Sequence, residues 1–490
     1  MAIECPLDSK FADEIAALLS PPQSHQTHNY FENLVVTRQC RGIEVREHAE
    51  LGKGVYANAC FEEGELILKD QMLVGVQHSS NKMDCLVCSF CFQFIGSIGL
   101  QIGRRLFFQG MGATSNDEYH SHSTYMGEDD GMDDENDLAE CSMSNTSSGV
   151  SLPNEIVESL MNGKLILPHS ERFSLPPTIP CPGACGETYY CSKSCADMDW
   201  EYCHSLLCTG KKTATACKEA LSKFIDHAND TNDIFLLAAK AISFTILRYK
   251  KLKSAHIGKE ERATAIPYMP LLLEAWRPIS MGYKKRWWDC VALPADVVQC
   301  DEVAFRMQIK EMAWTSLQLL KAAMFDEECA PLFSLDIYGH LIGMFELNNL
   351  DVVVASPVED YFLYIDDLPD TVKKEVEVVT KRILDALSDE YSTCCQGTAF
   401  FPLQSCMNHS CHPNAKAFKR DEDKDGQATI IAQRPIKVGE EVTICYIDED
   451  LPLEERQALL ADYGFICECP KCLEERPSNK KGKRKKKERR

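Results

Sequence analysis

An α+β fold is what this sequence predicts, and three features carry that reading. Between residues 42 and 76, apolar and polar residues alternate in short runs: GIEVRE, GKGVYANA and GELILKDQMLVGV. That period belongs to strands, and Gly64 punctuates two of the runs as a turn. Between residues 212 and 330 the period changes to three and four residues, in DIFLLAAKAISFTILRYKK and VAFRMQIKEMAWTSLQLLKAAMF, which predicts a helical block. Many of the 25 cysteines then fall into pairs at metal-ligand spacing on either side of that block.

Taken in order, residues 1–38 read as a helix (Ala12 to Leu19) followed by a proline-containing linker. Residues 39–84 hold the strand pattern. Inside it lies Leu51-Gly52-Lys53-Gly54-Val55-Tyr56-Ala57, a GxGxxA string. A dinucleotide-binding reading of such a string requires a helix directly after the glycines. A Glu62-Glu63-Gly64 turn and another strand follow instead, so the string belongs to a hairpin. Residues 85–210 are cysteine-rich, with Cys85-x2-Cys88, then Cys181-x3-Cys185-x5-Cys191-x3-Cys195, then His204-x3-Cys208. These eight groups are enough for two tetrahedral zinc sites, with Cys91 and Cys203 as nearby competitors. Between the two halves, residues 115–150 are rich in Asp, Glu, Ser, Asn and Gly. Asp117 to Glu140 carries ten acids and no Lys or Arg, a composition expected to be disordered.

Residues 211–335 form the helical block, in which Trp287, Trp288 and Trp314 are expected to be packing residues. From 340 to 355, HLIGMFELNNLDVVVA reads as a return to strand character. In EEVTICYID (440–448) the alternation puts Val442, Ile444 and Tyr446 on one face of a strand. Residues 336–448 are thus a second β-rich segment. Residues 449–476 carry CxCxxC (Cys467, Cys469, Cys472), and 477–490 form a basic tail.

The formal charge is −22, yet residues 480–490 alone carry nine basic groups and one acid, leaving about −30 for the rest. An acidic body is poorly suited to holding duplex DNA by its phosphates and better suited to a basic protein. The first residues, MAIECPLDSK, lack a basic stretch followed by an apolar run, so no secretory signal is expected, and zinc is favoured over disulfides. The longest apolar run, Phe235 to Leu247, is broken by Lys240 and too short for a bilayer, so no membrane partner is expected.

The chain is organised around NHSCHPN, Asn408 to Asn414. Asn408-His409 offers backbone and amide groups suited to an adenosine. Cys411 is a thiolate ligand that needs three partners, and Cys467, Cys469 and Cys472 supply them. Tyr446 lies on the strand entering this region and Tyr463 on the segment leaving it. This arrangement resembles the SET domain of protein lysine methyltransferases, closed by a cysteine-rich post-SET zinc clasp. The split cysteine-histidine set, with Tyr190 and Trp200 between ligands, resembles a MYND zinc finger. Together they resemble the SET-and-MYND family, and within it the plant Trithorax-related SET proteins.

That resemblance implies a β-rich SET domain with a pseudoknot, interrupted by a split MYND-type finger and a helical insert. It implies S-adenosyl-L-methionine as cofactor, contacted by Lys53, Gly54, Asn348, Asn408, His409, Tyr446 and Phe465, with the ring of Phe465 on the adenine. In the family the finger's ligand pairs interleave, so three zinc ions are expected. One is held by Cys85, Cys88, Cys191 and Cys195, the second by Cys181, Cys185, His204 and Cys208, and the third by Cys411, Cys467, Cys469 and Cys472. The chain departs from the family pattern in the 92 residues between the first pairs and in the three residues between Cys181 and Cys185. Tyr446 and Tyr463 are the implied catalytic residues, and a lysine of a histone, H3 foremost, is the implied acceptor. The family's C-terminal helical-repeat domain is expected to be missing and the lysine channel correspondingly more open. The finger would bind a peptide partner such as a transcription factor. The tail would direct the protein to the nucleus and touch DNA weakly. The alternative is a non-catalytic chromatin adaptor, against which the intact tyrosine motif argues.

Overall fold

The computed structural model describes residues 4–48, 52–111, 152–211, 213–257, 268–282, 285–294, 301–420 and 422–476. The acidic stretch 115–150 and the basic tail from 477 lie outside the described residues.

Three helices open the chain, Pro6–Lys10, Ala12–Leu19 and Ser24–Thr37. Only the second is legible in the sequence. The first two dock on the helical block, where the Trp276 indole donates to Leu18 O at 3.0 Å and the Leu335 amide donates to Asp8 at 2.9 Å, while the third buries Phe31 and Val35 in a core with Ile43 and Val55. The strands follow as β1 (Ile43–His48), β2 (Gly52–Ala57), β3 (Leu66–Asp70) and β4 (Val74–Gln77). The GxGxxA string is β2 itself, which pairs antiparallel with β1, Val45 opposite Val55. No helix follows it. The chain crosses a bridge between Phe61 and Ile436 and enters β3, in agreement with the hairpin reading.

Two short strands, β5 (Ile179–Pro180) and β6 (Tyr189–Tyr190), sit in the cysteine-rich segment. After the helical block come β7 (Asn349–Val354), β8 (Cys395–Phe400), β9 (Asn408–His409), β10 (Ala415–Ala417), β11 (Ala428–Ala432) and β12 (Glu441–Ile444). Three small sheets result, ordered β1-β2-β12-β9, β10-β11-β3 and β4-β8-β7. Each pairs a strand of the N-terminal segment directly with one some 320 or more residues later, so the two β segments are one body interrupted by the helices. Asp70 pins that union. Its buried carboxylate accepts from the Leu403 amide (2.7 Å), the Gln404 amide (3.0 Å) and the Arg38 guanidinium.

The helical block comprises Thr215–Thr231, Ile234–Ile257, Tyr268–Ser280, Trp287–Cys290, Glu302–Met324 and Leu335–Asn348. Trp287 and Trp288 are buried in its core and Trp314 packs against it, as expected. The strand expected from residue 340 is corrected: residues 340–348 are helical, and the strand begins at Asn349. Ser334 caps this helix by accepting from the Ile337 amide at 2.9 Å. Leu335, Ile337, Leu341, Ile342, Met344 and Phe345 are all buried, so within the run 341–345 no polar residue betrays the helical period. Gly343 is required there, because a Cβ would stand 1.9 Å from Lys285 O. Two further helices, Pro357–Asp366 and Asp370–Leu387, separate β7 from β8 and share a core with the helix Ile98–Gly110. The sequence reading did not anticipate them. No helix among the described residues is long and apolar enough to cross a membrane.

Candidate active site and metal clusters

Strand β9 is only two residues long, and its position comes from β12. Thr443 pairs parallel with Asn408 and Ile444 with His409, and the Ser410 amide donates to Ile444 O at 3.0 Å. Asn414 fixes the other end of the turn. It is buried, donates to Glu441 O (2.7 Å) and accepts from the Thr443 amide (2.9 Å). Asn408 reaches across to β2 and donates to Lys53 O (3.1 Å) and to the Glu441 carboxylate (2.7 Å). Gly54 lies under this bridge, where a Cβ would fall 2.7 Å from Glu441 Oε1 and 3.3 Å from Asn408 Nδ2. The glycine therefore makes room for the Asn408–Glu441 pair.

His409 orders the centre of the site. Its Nδ1 accepts from the Tyr446 amide at 3.0 Å, so the proton of the neutral ring is on Nε2, which lies 3.1 Å from Cys411 Sγ. Burial, reinforced by Arg456, lowers the His409 pKa to about 4, which keeps the ring neutral. The His409 ring stands 5.3 Å from that of Tyr446 and 5.9 Å from that of Phe465, and Tyr446 stands 5.2 Å from Tyr463. Phe465, His409, Tyr446 and Tyr463 thus form one aromatic row. The Tyr446 hydroxyl donates to Met407 O. Burial raises both phenols above their ordinary pKa, so they stay protonated at neutral pH. Phe465 keeps 37% of its surface open, leaving a ring face for a flat heterocycle. Asn348 ends the helix Leu335–Asn348, and its amide donates back to Met344 O at 2.8 Å.

Three quartets bring their ligand atoms within 4.8 Å of one another: Cys88, Cys91, Cys191 and Cys195; Cys181, Cys185, His204 and Cys208; and Cys411, Cys467, Cys469 and Cys472. The separations Cys91–Cys191 (3.6 Å), Cys191–Cys195 (3.4 Å), Cys181–Cys208 (3.6 Å) and Cys411–Cys472 (3.5 Å) are sulfur to sulfur. His204 Nε2 lies 3.1 Å from Cys181 Sγ and 3.7 Å from Cys185 Sγ. A tetrahedron with zinc–sulfur bonds of about 2.3 Å has sulfur edges of roughly 3.8 Å, whereas a disulfide brings sulfurs to about 2.05 Å. The spacing and the donor set fit zinc.

The second and third quartets are those expected from the sequence. The first is corrected: Cys91 takes the place assigned to Cys85. Residues 87 to 94 form a hairpin, with Val87 bridged to Phe94 and the Phe92 amide donating to Cys88 O at 2.8 Å. Its tip carries both Cys88 and Cys91. Cys85 precedes it and turns into an apolar cluster with Val87, Phe94, Val352 and Val354, its thiol donating weakly to Thr393 O at 3.6 Å. Burial pushes the Cys85 thiol up to about 12, where it is a neutral core group and not a thiolate. The signal was present, since Cys88-x2-Cys91 repeats the spacing of Cys85-x2-Cys88. The competitor Cys203 is occupied elsewhere and donates to Asp199 at 3.1 Å.

Sequence reasoning missed two further residues of the site. Glu441 holds Asn408, and it stood unremarked inside a quoted strand. Arg456 is buried beside the third quartet, and a lone arginine in an acidic helix gives no signal.

The SET domain family model matches residues 52–447. The histone-lysine N-methyltransferase ATXR2 of Arabidopsis thaliana is 62% identical over 476 residues, 96% of this chain and 98% of that one. The protein-lysine N-trimethyltransferase SMYD5 of Gallus gallus is 24% identical over 336 residues, 64% of this chain and 70% of its own. A family match that takes in both β segments and the helices between them, beside a relative alike over almost its entire length, makes this chain a member of the SET domain family.

Proposed function

We propose that this protein is an S-adenosylmethionine-dependent protein lysine methyltransferase that acts on a histone, H3 foremost, in chromatin-based control of transcription. The aromatic row Phe465–His409–Tyr446–Tyr463, held by the Asn408–Glu441 pair, carries the reading. Histone methylation in the name of the full-length plant relative supports it.

Bound S-adenosylmethionine would supply the methyl group as an activated sulfonium. Phe465, Asn408, His409, Lys53 and Gly54 would hold it, with Tyr446 at its reactive end. A lysine amine is protonated at pH 7 in water and must be neutral to accept a methyl. The half-buried Tyr446 and Tyr463 offer a desolvated seat that favours the neutral amine. Because the Tyr446 hydroxyl spends its proton on Met407 O, its oxygen lone pairs are turned outward to align the amine. A substrate strand has a place to lie. The strands β7 and β10 each pair on one side only among the described residues, and a groove between them is lined by Leu350, Asp351, Phe418 and Lys419.

The three quartets would hold three structural zinc ions, the first two in a MYND-type finger that docks a peptide partner such as a transcription factor. The tail would carry the protein into the nucleus and add a weak contact to DNA. Incubation of the purified protein with labelled S-adenosylmethionine and a panel of core histones tests the reading. Label on lysine of a histone supports it; zinc-loaded protein that labels none of them overturns it.

A further inference from the structure

We infer that Arg456 is the internal counter-charge of the Cys411–Cys467–Cys469–Cys472 clasp and the positioning residue that ties clasp loading to Tyr463. This rests on the reading of the clasp as a zinc site. Four thiolates around a divalent ion carry a net charge of −2. The Cys88 quartet has the same charge, but three of its four cysteines are half-exposed and water can screen them. In the clasp three of the four are buried. A buried charge of that size needs an internal partner. Arg456 is 2% exposed and sends Nη2 to Cys472 Sγ at 3.7 Å and Nη1 to Leu451 O. Among the described residues it is the only arginine hydrogen-bonded to a quartet sulfur. Glu475 also accepts from Nη2, at 2.6 Å, but its carboxylate is 38% exposed and screened by water.

Arg456 sits on the helix Leu453–Asp462, and Tyr463 is the next residue after that helix. The guanidinium therefore fixes the helix against the clasp, and the helix fixes where the tyrosine stands. Tyr446 and Tyr463 pack on the same small core as Cys411, Leu460 and Cys472.

The test uses full-length zinc-loaded protein, an excess of chelator and a metallochromic dye. In Arg456→Met one of three zinc ions should leave about 10- to 100-fold faster, the range for loss of a group supporting a metal ligand. The other two should leave at wild-type rates. Arg456→Lys keeps the charge and should recover part of the difference. Three wild-type release rates in Arg456→Met overturn the inference, as does Arg456→Lys releasing as fast as Arg456→Met. Should Arg456→Met fail to fold, Glu475→Gln decides. It removes the carboxylate charge that competes with Cys472 for Nη2, so release from the clasp should be unchanged or slower; faster release would make the arginine a plain ion pair and refute its role. The readout is metal, not methyl transfer, so a protein inactive on histones leaves the result intact. Wild-type protein without zinc in the clasp would defeat the reading of the site as well.

Discussion

Replacing Cys91 and Cys85 one at a time by alanine separates two cysteines that look equivalent in the sequence. Cys91 contributes one of four thiolates to the first quartet, 3.6 Å from Cys191. Structural zinc in small fingers is worth on the order of 10–16 kcal/mol at neutral pH, and three remaining thiolates do not make a closed tetrahedral site. Cys91→Ala should lower the zinc content from three ions to two and unfold the finger locally. Cys85 is 1% exposed in an apolar cluster. Its truncation removes one buried sulfur and three weak contacts, to Asn81, Arg105 and Thr393, at about 1–2 kcal/mol. In a protein of this size that is a shift in Tm of only a few degrees, with all three zinc ions kept. Native mass spectrometry counts the ions and calorimetry reads the Tm. Two zinc ions in Cys85→Ala with three in Cys91→Ala would refute the reassignment.

Three more outcomes are expected. Phe465→Ala should weaken S-adenosylmethionine binding about 3- to 10-fold by calorimetry with little change in Tm, because the ring is 37% exposed; unchanged affinity would remove the adenine from that ring. Gly343→Ala forces a Cβ to within 1.9 Å of Lys285 O and should destabilise the protein by about 1–3 kcal/mol in denaturant titration, since backbone and not a flexible side chain must move. Truncation after Ser478 should shift a fluorescent fusion out of the nucleus, and a fusion that stays nuclear would leave the tail as a solubilising end.

What could be read from the sequence was whatever is local along the chain. CxCxxC and HxxxC place ligands on single turns, so two quartets were legible residue by residue. The first was legible in three of four members. The choice between Cys85 and Cys91 depends on the hairpin joining Val87 to Phe94 and on where the apolar face of β7 and β8 falls, neither of which spacing records. Residues 340–348 read as strand because Leu341 to Phe345 are buried without a polar residue among them, and a run of apolar residues fits either period. Asn408, His409, Tyr446, Tyr463 and Phe465 do converge on one site. Asn348 turns its amide back onto its own helix, and Gly54 lies beside the Asn408–Glu441 pair. Arg456 and Glu441 were invisible because their importance lies in partners 15 to 35 residues away that only the fold brings near.

The central claim is that methyl transfer takes place at Tyr446, and single-turnover kinetics on the Tyr446→Phe variant test it most directly. The change removes one hydroxyl bonded to Met407 O, worth about 1 kcal/mol of stability. Three zinc ions and S-adenosylmethionine affinity should be retained, while the rate of transfer to a histone falls about 100-fold or more, as when a single positioned group is lost at a reacting centre. Near wild-type transfer by a folded, zinc-loaded Tyr446→Phe protein would contradict the account.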